Sequence, residues 1–327
     1  VQAEQRIQTI CLLLLTALAV ATALHWLRAV LIPFVVAVFA TFAINPLVVV
    51  LVRRARFRRG LAILTTLLIG LVFFLLAAAI VSSSVAQLTQ NAGAYQEKIT
   101  VLAQQIGDSI PLEDVETELE KRLSQLPIGS MLIGLANSLL GILSNAILVL
   151  IFVIFLLIGG RQGDPQEDGV WSEIQVRVER YLVAQLTLSA ATGFLVGLML
   201  YMLGLELALM FGFLAFLLNF IPSLGSIVAT LLPLPVVLVS PESSWTTAVL
   251  VVALPGSIQF IIGSVLAPKV MGEYLQLHPI AILLALIFWG LLWGIMGMFL
   301  AVPITAVLKI FLDRSELTQP VGRLLEG

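Results

Sequence analysis

The chain has 327 residues, 60% hydrophobic and 11% charged, with a formal net charge of -2. The few polar residues cannot clothe a water-soluble surface, so the expected fold class is an all-α integral membrane protein, because a closed helix satisfies its own backbone in lipid. The balanced charge excludes a nucleic-acid footprint, and the single Cys11 excludes an intramolecular disulfide framework and any cysteine zinc site.

Six apolar runs are long enough to cross: Ile10 to Leu27, Ala29 to Val52, Leu61 to Ala86, Met131 to Ile158, Val183 to Leu203 and Thr247 to Leu266. The first imitates a signal peptide, with Arg6, an apolar core and the small residues Ala19, Ala21 and Ala23. Glu4 weakens its basic flank and the hydrophobicity continues into the second run, so it is read as a span; the chain starts at Val1, which leaves the native N-terminus open. Two further regions, Leu207 to Val239 and Ile280 to Phe311, are too long for one span and are broken, the first by Pro222 and Gly225, the second by Gly290, Gly294 and Gly297. Each half is about 14 residues, roughly 21 Å of helix, short of a bilayer core. They are expected to be two helical hairpins, re-entrant from one side or built of two tilted short helices.

Between the third and fourth spans, Gln87 to Ser130 is polar. Leu88, Tyr95, Ile99, Leu102 and Ile106 recur at helical spacing, and after Pro111 so do Val115, Leu119 and Leu123, which predicts two amphipathic helices outside the cell. Such a segment is either a solvated face or a cap or contact between subunits. The resulting division is an N-terminal transmembrane scaffold (1–86), the extracytoplasmic segment (87–130), a transport region (131–311) holding both broken regions (207–239 and 280–311), and a tail (312–327). With the N-terminus inside, Arg6, Arg53, Arg54, Arg56, Arg58, Arg59, Arg161, Arg177, Arg180, Lys269, Lys309, Arg314 and Arg323 are cytoplasmic. Only Arg28, Lys98, Lys121 and Arg122 lie outside, a bias that puts both termini in the cytoplasm.

No pattern for catalysis, a metal or a cofactor is present: His25 and His278 lie far apart, and HExxH, GxSxG and Walker-A motifs are absent, so an enzyme is not expected. Carboxylates at membrane depth are scarce too, Glu206 lying at a junction and Glu179, Arg180 and Glu273 in loops or helix ends, which argues against obvious ion coupling. What the interior offers is uncharged polarity and broken backbone. Asn219, Pro222, Ser223, Gly225 and Ser226 form the tip of the first hairpin, either a binding site for a small polar solute or a plain turn. Gln185, Asn137, Asn145 and Gln259 either line a path or hold helices together, and the three glycines of the second break are close-packing positions. Pro268, Lys269, Gly272 and Glu273 follow the last full span, with Lys269 and Glu273 either gating a cytoplasmic mouth or sitting in a loop. A span and a broken region (Val183 to Val239) are followed by another such pair (Thr247 to Phe311) of opposite orientation, the arrangement of an inverted repeat; its sequence echo is a break followed by Pro233 or Pro303.

NFIPSLG (Asn219 to Gly225), VLAPKVMG (Val265 to Gly272), LHP (Leu277 to Pro279) and AVPITAVLKIF (Ala301 to Phe311), in that order and spacing, closely resemble the autoinducer-2 exporter family of bacterial membrane proteins, over nearly the whole chain. The resemblance implies a permease of the bacterial inner membrane that exports a small polar solute, with the quorum-sensing signal autoinducer-2 as one cargo and sodium or lithium exchange for protons as another activity. It also implies a homo-oligomer, a pentamer, in the lipid bilayer. A non-transporting scaffold and a passive channel remain the other classes. The chain departs from the family at Ile262 and Ser264, where an acid and an asparagine are common, and at Ser223 and Ser226, where tyrosine and proline are. If that acid serves cation coupling in relatives, this chain either does not couple or uses another group.

Overall fold

The computed structural model describes residues 2–90, 134, 146–159, 170–240, 244–271 and 277–314. Its helices are α1 (Gln2–Trp26), α2 (Arg28–Arg53), α3 (Arg59–Gln90), α4 (Ala146–Gly159), α5 (Val170–Met202), α6 (Ala208–Leu218), α7 (Leu224–Leu231), α8 (Leu234–Val239), α9 (Trp245–Ile261), α10 (Ala267–Met271), α11 (Pro279–Trp293) and α12 (Ile295–Arg314), with a π-helical turn, Ile262–Leu266, joining α9 to α10. The amphipathic pair expected in 87–130 lies almost wholly outside the described residues, as do Asn137, Asn145 and residues 315–327.

Among the described residues, five helical stretches are long and apolar enough to cross a bilayer: Arg28–Arg53, Arg59–Gln87, Ser172–Met202, Trp245–Val270 and Ile295–Arg314. Their outer surfaces are apolar as well. On α3, Leu68, Ile69, Val72, Leu75 and Leu76 are all exposed, a surface that suits lipid and would be costly in water. The protein is a multi-pass, all-α membrane protein.

Three boundaries differ from the sequence expectation. Helix α5 starts at Val170, ahead of the apolar run, so Glu179 and Arg180 stand well inside a helix, neither in a loop nor at a helix end. Its amphipathic first turns are held by the Glu173–Arg177 pair at 2.8 Å, four residues apart on one face. The arms of the second broken region are unequal, 15 residues in α11 and 20 in α12, and a helix of the latter length reaches about 30 Å. After Ile261 the backbone stays helical to Met271, so Lys269 is on α10 and not in a loop.

The chain divides into two compact units. In the first, made of Val1–Ile63, Asn145–Val183 and Glu273–Gly327, α2 packs along α4 and α11 along α12, while α1 touches α2 and α11. Phe34 meets Phe152 edge to face at 5.6 Å. The second unit, Leu64–Ser144 with Ala184–Gly272, has its core where Val81, Val196, Leu200, Phe211, Leu214, Val237 and Val251 are buried together. There α5 and α6 cross in near backbone contact. A Cβ on Gly212 would stand 2.7 Å from the Gly197 Cα, and one on Gly193 would stand 2.7 Å from the Gly212 carbonyl oxygen. Gly193 and Gly197 are thus a GxxxG face, the small-residue device by which helices associate in lipid.

Candidate functional site

The first hairpin folds as the broken pattern predicts. Helix α6 ends at Leu218, the chain turns through Asn219–Ser223, and α7 returns from Leu224 packed against α6. Gly225 makes the close return possible, because a Cβ there would overlap the Leu218 carbonyl. At the apex the Leu224 N–H donates to the Pro222 carbonyl at 2.6 Å and closes a three-residue turn around Ser223. Ser223 has φ 61 and ψ -55, the γ-turn of positive φ, rare and strained for a residue with a side chain. Such a position costs on the order of 1–3 kcal/mol and persists where the surroundings impose it. Ser223 is exposed.

Beneath the turn lies a hydrogen-bonded polar network. Gln185 on α5, 6% exposed, donates from Nε2 to the Asn219 backbone carbonyl at 2.7 Å and more weakly to Ser189 Oγ at 3.4 Å. Asn219 donates from Nδ2 to Ser189 Oγ at 3.0 Å. Gln185 therefore satisfies one of the end-of-helix carbonyls that α6 cannot pair internally, and Ser189, fully buried, joins the two amides. Ser189 is a member that sequence reasoning missed; its place one helical turn after Gln185 on the same face of α5 is the signal that could have found it.

Gln259 on α9 also belongs to this unit. It is 6% exposed, and among the described residues neither its Nε2 nor its Oε1 meets a hydrogen-bond partner. Helix α9 packs on α7 and α8, with Gly256 against the Thr230 methyl group. Pro268 and Lys269 are not brought to the turn: both are exposed on α10, about 15 Å of helix beyond Gln259 in the case of Lys269. Gly272 and Glu273 lie outside the described residues. Pro222 is half-buried in the turn and Gly225 buried behind it.

The second hairpin, in the other unit, turns at Gly294 with φ 65 and ψ -143. Gly297 repeats the role of Gly225, since a Cβ there would overlap the Trp289 carbonyl; this glycine is a close-packing position, as the sequence suggests. The tip is tied to α1 at both ends of a reciprocal pair: Trp293 Nε1 donates to the Leu24 carbonyl at 3.0 Å and His25 Nδ1 donates to the Leu292 carbonyl at 3.0 Å. Trp289 Nε1 donates across the hairpin to Thr305 Oγ1 at 3.3 Å. Pro233 and Pro303 do not echo one another structurally, because the first separates α7 from α8 and the second sits inside an unbroken α12.

The first unit also holds charge that sequence reasoning placed simply in the cytoplasm. Lys309, 4% exposed on α12, pairs with Asp313 at 3.2 Å. Arg314 bonds Glu173 at 2.8 Å, and Asn45 donates to Glu179 at 3.3 Å. These tie α12 and α2 to the first turns of α5. No group of three or more His, Cys, Asp or Glu side chains converges as a metal site among the described residues.

Comparison with known proteins places this architecture. The AI-2 transport protein TqsA of Escherichia coli (strain K12) is 30% identical over 90% of this chain and 89% of its own length. YhhT of the same organism is 25% identical over 94% of this chain and 91% of its own, and YrrI of Bacillus subtilis (strain 168) is 35% identical over 40% of this chain and 36% of its own, neither name specifying a cargo. The model of the AI-2E family transporters matches residues 12–316. The chain belongs to the AI-2E transporter family and is a membrane transporter.

Proposed function

We propose that this transporter is a carrier that moves a small polar solute outward across the bacterial inner membrane, with the tip of the first hairpin as its solute site. Autoinducer-2, named in the TqsA relative, is the first cargo to test. The observation that carries the reading is the strained, exposed turn at Ser223 joined to the buried Gln185, Ser189 and Asn219 network. Uncharged donors and acceptors suit a neutral solute, and a backbone held in a costly conformation is poised to change. Cation exchange for protons is the less favoured reading, because no acid lies in the turn. In this reading the transporter works within a pentamer, with both termini cytoplasmic.

Reconstituted in proteoliposomes, the protein should give a saturable, solute-specific flux; a channel would not saturate over the same range and a scaffold would carry none. Asn219→Leu keeps the bulk and removes the hydrogen-bonding group. It should weaken apparent affinity roughly five- to 150-fold, the equivalent of about 1–3 kcal/mol for an unsatisfied buried partner. Unaltered affinity in a normally assembled variant rules out this site. For orientation, cysteines at Gln104 and Arg56 in a Cys11-free background should react with an impermeant thiol reagent from opposite sides, Gln104 from outside; labelling from one side overturns the topology.

A further inference from the structure

Resting on that reading, we infer that Gln259 is the side chain that reads the solute, and that it takes an uncharged group presenting one hydrogen-bond donor beside one acceptor. Its level in the unit follows from the packing. Helices α7 and α8, which precede α9 in the chain, both lie against it, so α9 runs back along them. Gly256 faces Thr230. One turn onward from Gly256 is Gln259, and one turn back from Thr230 is Ser226, so the Gln259 amide stands level with the tip of the hairpin.

A buried carboxamide normally has both ends paired, because each unmade bond leaves a desolvated group uncompensated. Gln185 in the same unit has its Nε2 paired, whereas among the described residues neither end of Gln259 is. The backbone beside Gln259 is unusual too. The Ile262 N–H is shared between the Ile258 and Gln259 carbonyls, and the π turn starts there, a feature that recurs at functional sites. An amide offers N–H and C=O side by side in one plane, and its complement is another amide or a pair of neighbouring hydroxyls. Charge selects the same class. Between residues 184 and 266 the chain carries no Lys or Arg, and its only acids are Glu206 and Glu242. Glu206 precedes α6, the end away from the turn, and Glu242 lies outside the described residues. Among the described residues of this unit a carboxylate or an ammonium ion would find no counter-charge at this level, and desolvating it would be costly.

Four small probes separate the classes: lactamide and propane-1,2-diol, which are neutral and carry donor and acceptor on adjacent atoms; lactate, the charged counterpart of lactamide; and lithium ion. Unfolding midpoints of the purified full chain in detergent are measured with each, for wild type, Gln259→Met and Gln259→Glu. Lactamide and propanediol should raise the wild-type midpoint, lactate and lithium should not, and both variants should lose the response. Without any probe, Gln259→Met should unfold higher than wild type by about 2 °C, since it removes two unpaired groups at similar volume. A lower midpoint, or failure to fold, would mean that Gln259 is structurally satisfied and would overturn the assignment. So would neutral probes that shift Gln259→Met as they shift wild type, and so would the absence of any wild-type shift. A lactate or lithium shift lost in both variants would overturn the neutral class. None of these outcomes touches the Asn219→Leu flux measurement, which tests the tip itself.

Discussion

The two hairpins are built on one plan and finished in opposite ways. In both, a glycine early in the returning helix lies against a carbonyl near the end of the outgoing one, Gly225 on Leu218 and Gly297 on Trp289, so that the arms approach to backbone contact. The turns differ. The second takes its positive φ at Gly294, where no Cβ is strained, and is pinned to α1 through Trp293 and His25. The first takes its positive φ at Ser223, where a Cβ is strained, and its bonds run inward to Gln185 and Ser189. A turn that only reverses the chain has every reason to use glycine. One that keeps serine in a γ-turn at the mouth of a polar network holds a conformational cost that the second hairpin avoids.

The shared plan can be broken first, where the largest effect lies. Gly225→Val and Gly297→Val each drive a side chain into a backbone carbonyl that cannot withdraw without unwinding its arm, a cost above about 4 kcal/mol. Neither variant should elute as a folded species in detergent size-exclusion chromatography, and a monodisperse product at either position would show that the plan is not shared. The difference between the tips is tested by a pair of substitutions of opposite sign. Gly294→Ala places a Cβ in a region open essentially to glycine and should lower stability by about 2 kcal/mol. Ser223→Gly removes strain, partly offset by the freer unfolded chain, and should raise stability by roughly 1 kcal/mol. Equilibrium unfolding of both would settle the comparison, and shifts of the same sign would abolish it. The smallest effect belongs to the pin: Trp293→Phe deprives the Leu24 carbonyl of its donor and should cost about 1 kcal/mol. Amide hydrogen exchange around residues 292–295 should then speed up relative to wild type, and unchanged exchange would mean that the second tip is held by packing alone.

Much of this was legible in the sequence, for physical reasons. A long apolar run has one solution in lipid, and a proline or glycine cluster inside one has few, so four of the six expected spans and both breaks could be read directly. Asn219, Pro222 and Gly225 fell where the turn is. The helical start of α5 was hidden because Glu173 to Arg180 read as polar when its residues are counted singly; what makes them helical is pairing at a spacing of four and with Arg314, 141 residues away. Ser189 was hidden because a serine in an apolar run carries no signal of its own. The contrast between Gln185 and Gln259 could not be read at all, since two glutamines on two spans look alike until their partners are known. Lys309 was counted among cytoplasmic charges, and only the packing of α12 buries its ammonium.

The π turn at Ile262–Leu266 sets the phase of everything after it. In an α-helix each residue advances the side-chain direction by about 100°, so one additional residue accommodated in a wider turn rotates the following helix by that angle relative to an unbroken continuation. Pro268 and Lys269 therefore present a different side of the rod from the one a helical wheel drawn through Gln259 assigns them. The wider turn does this within a continuous helical rod, from α9 through to α10, without a hinge or a loop.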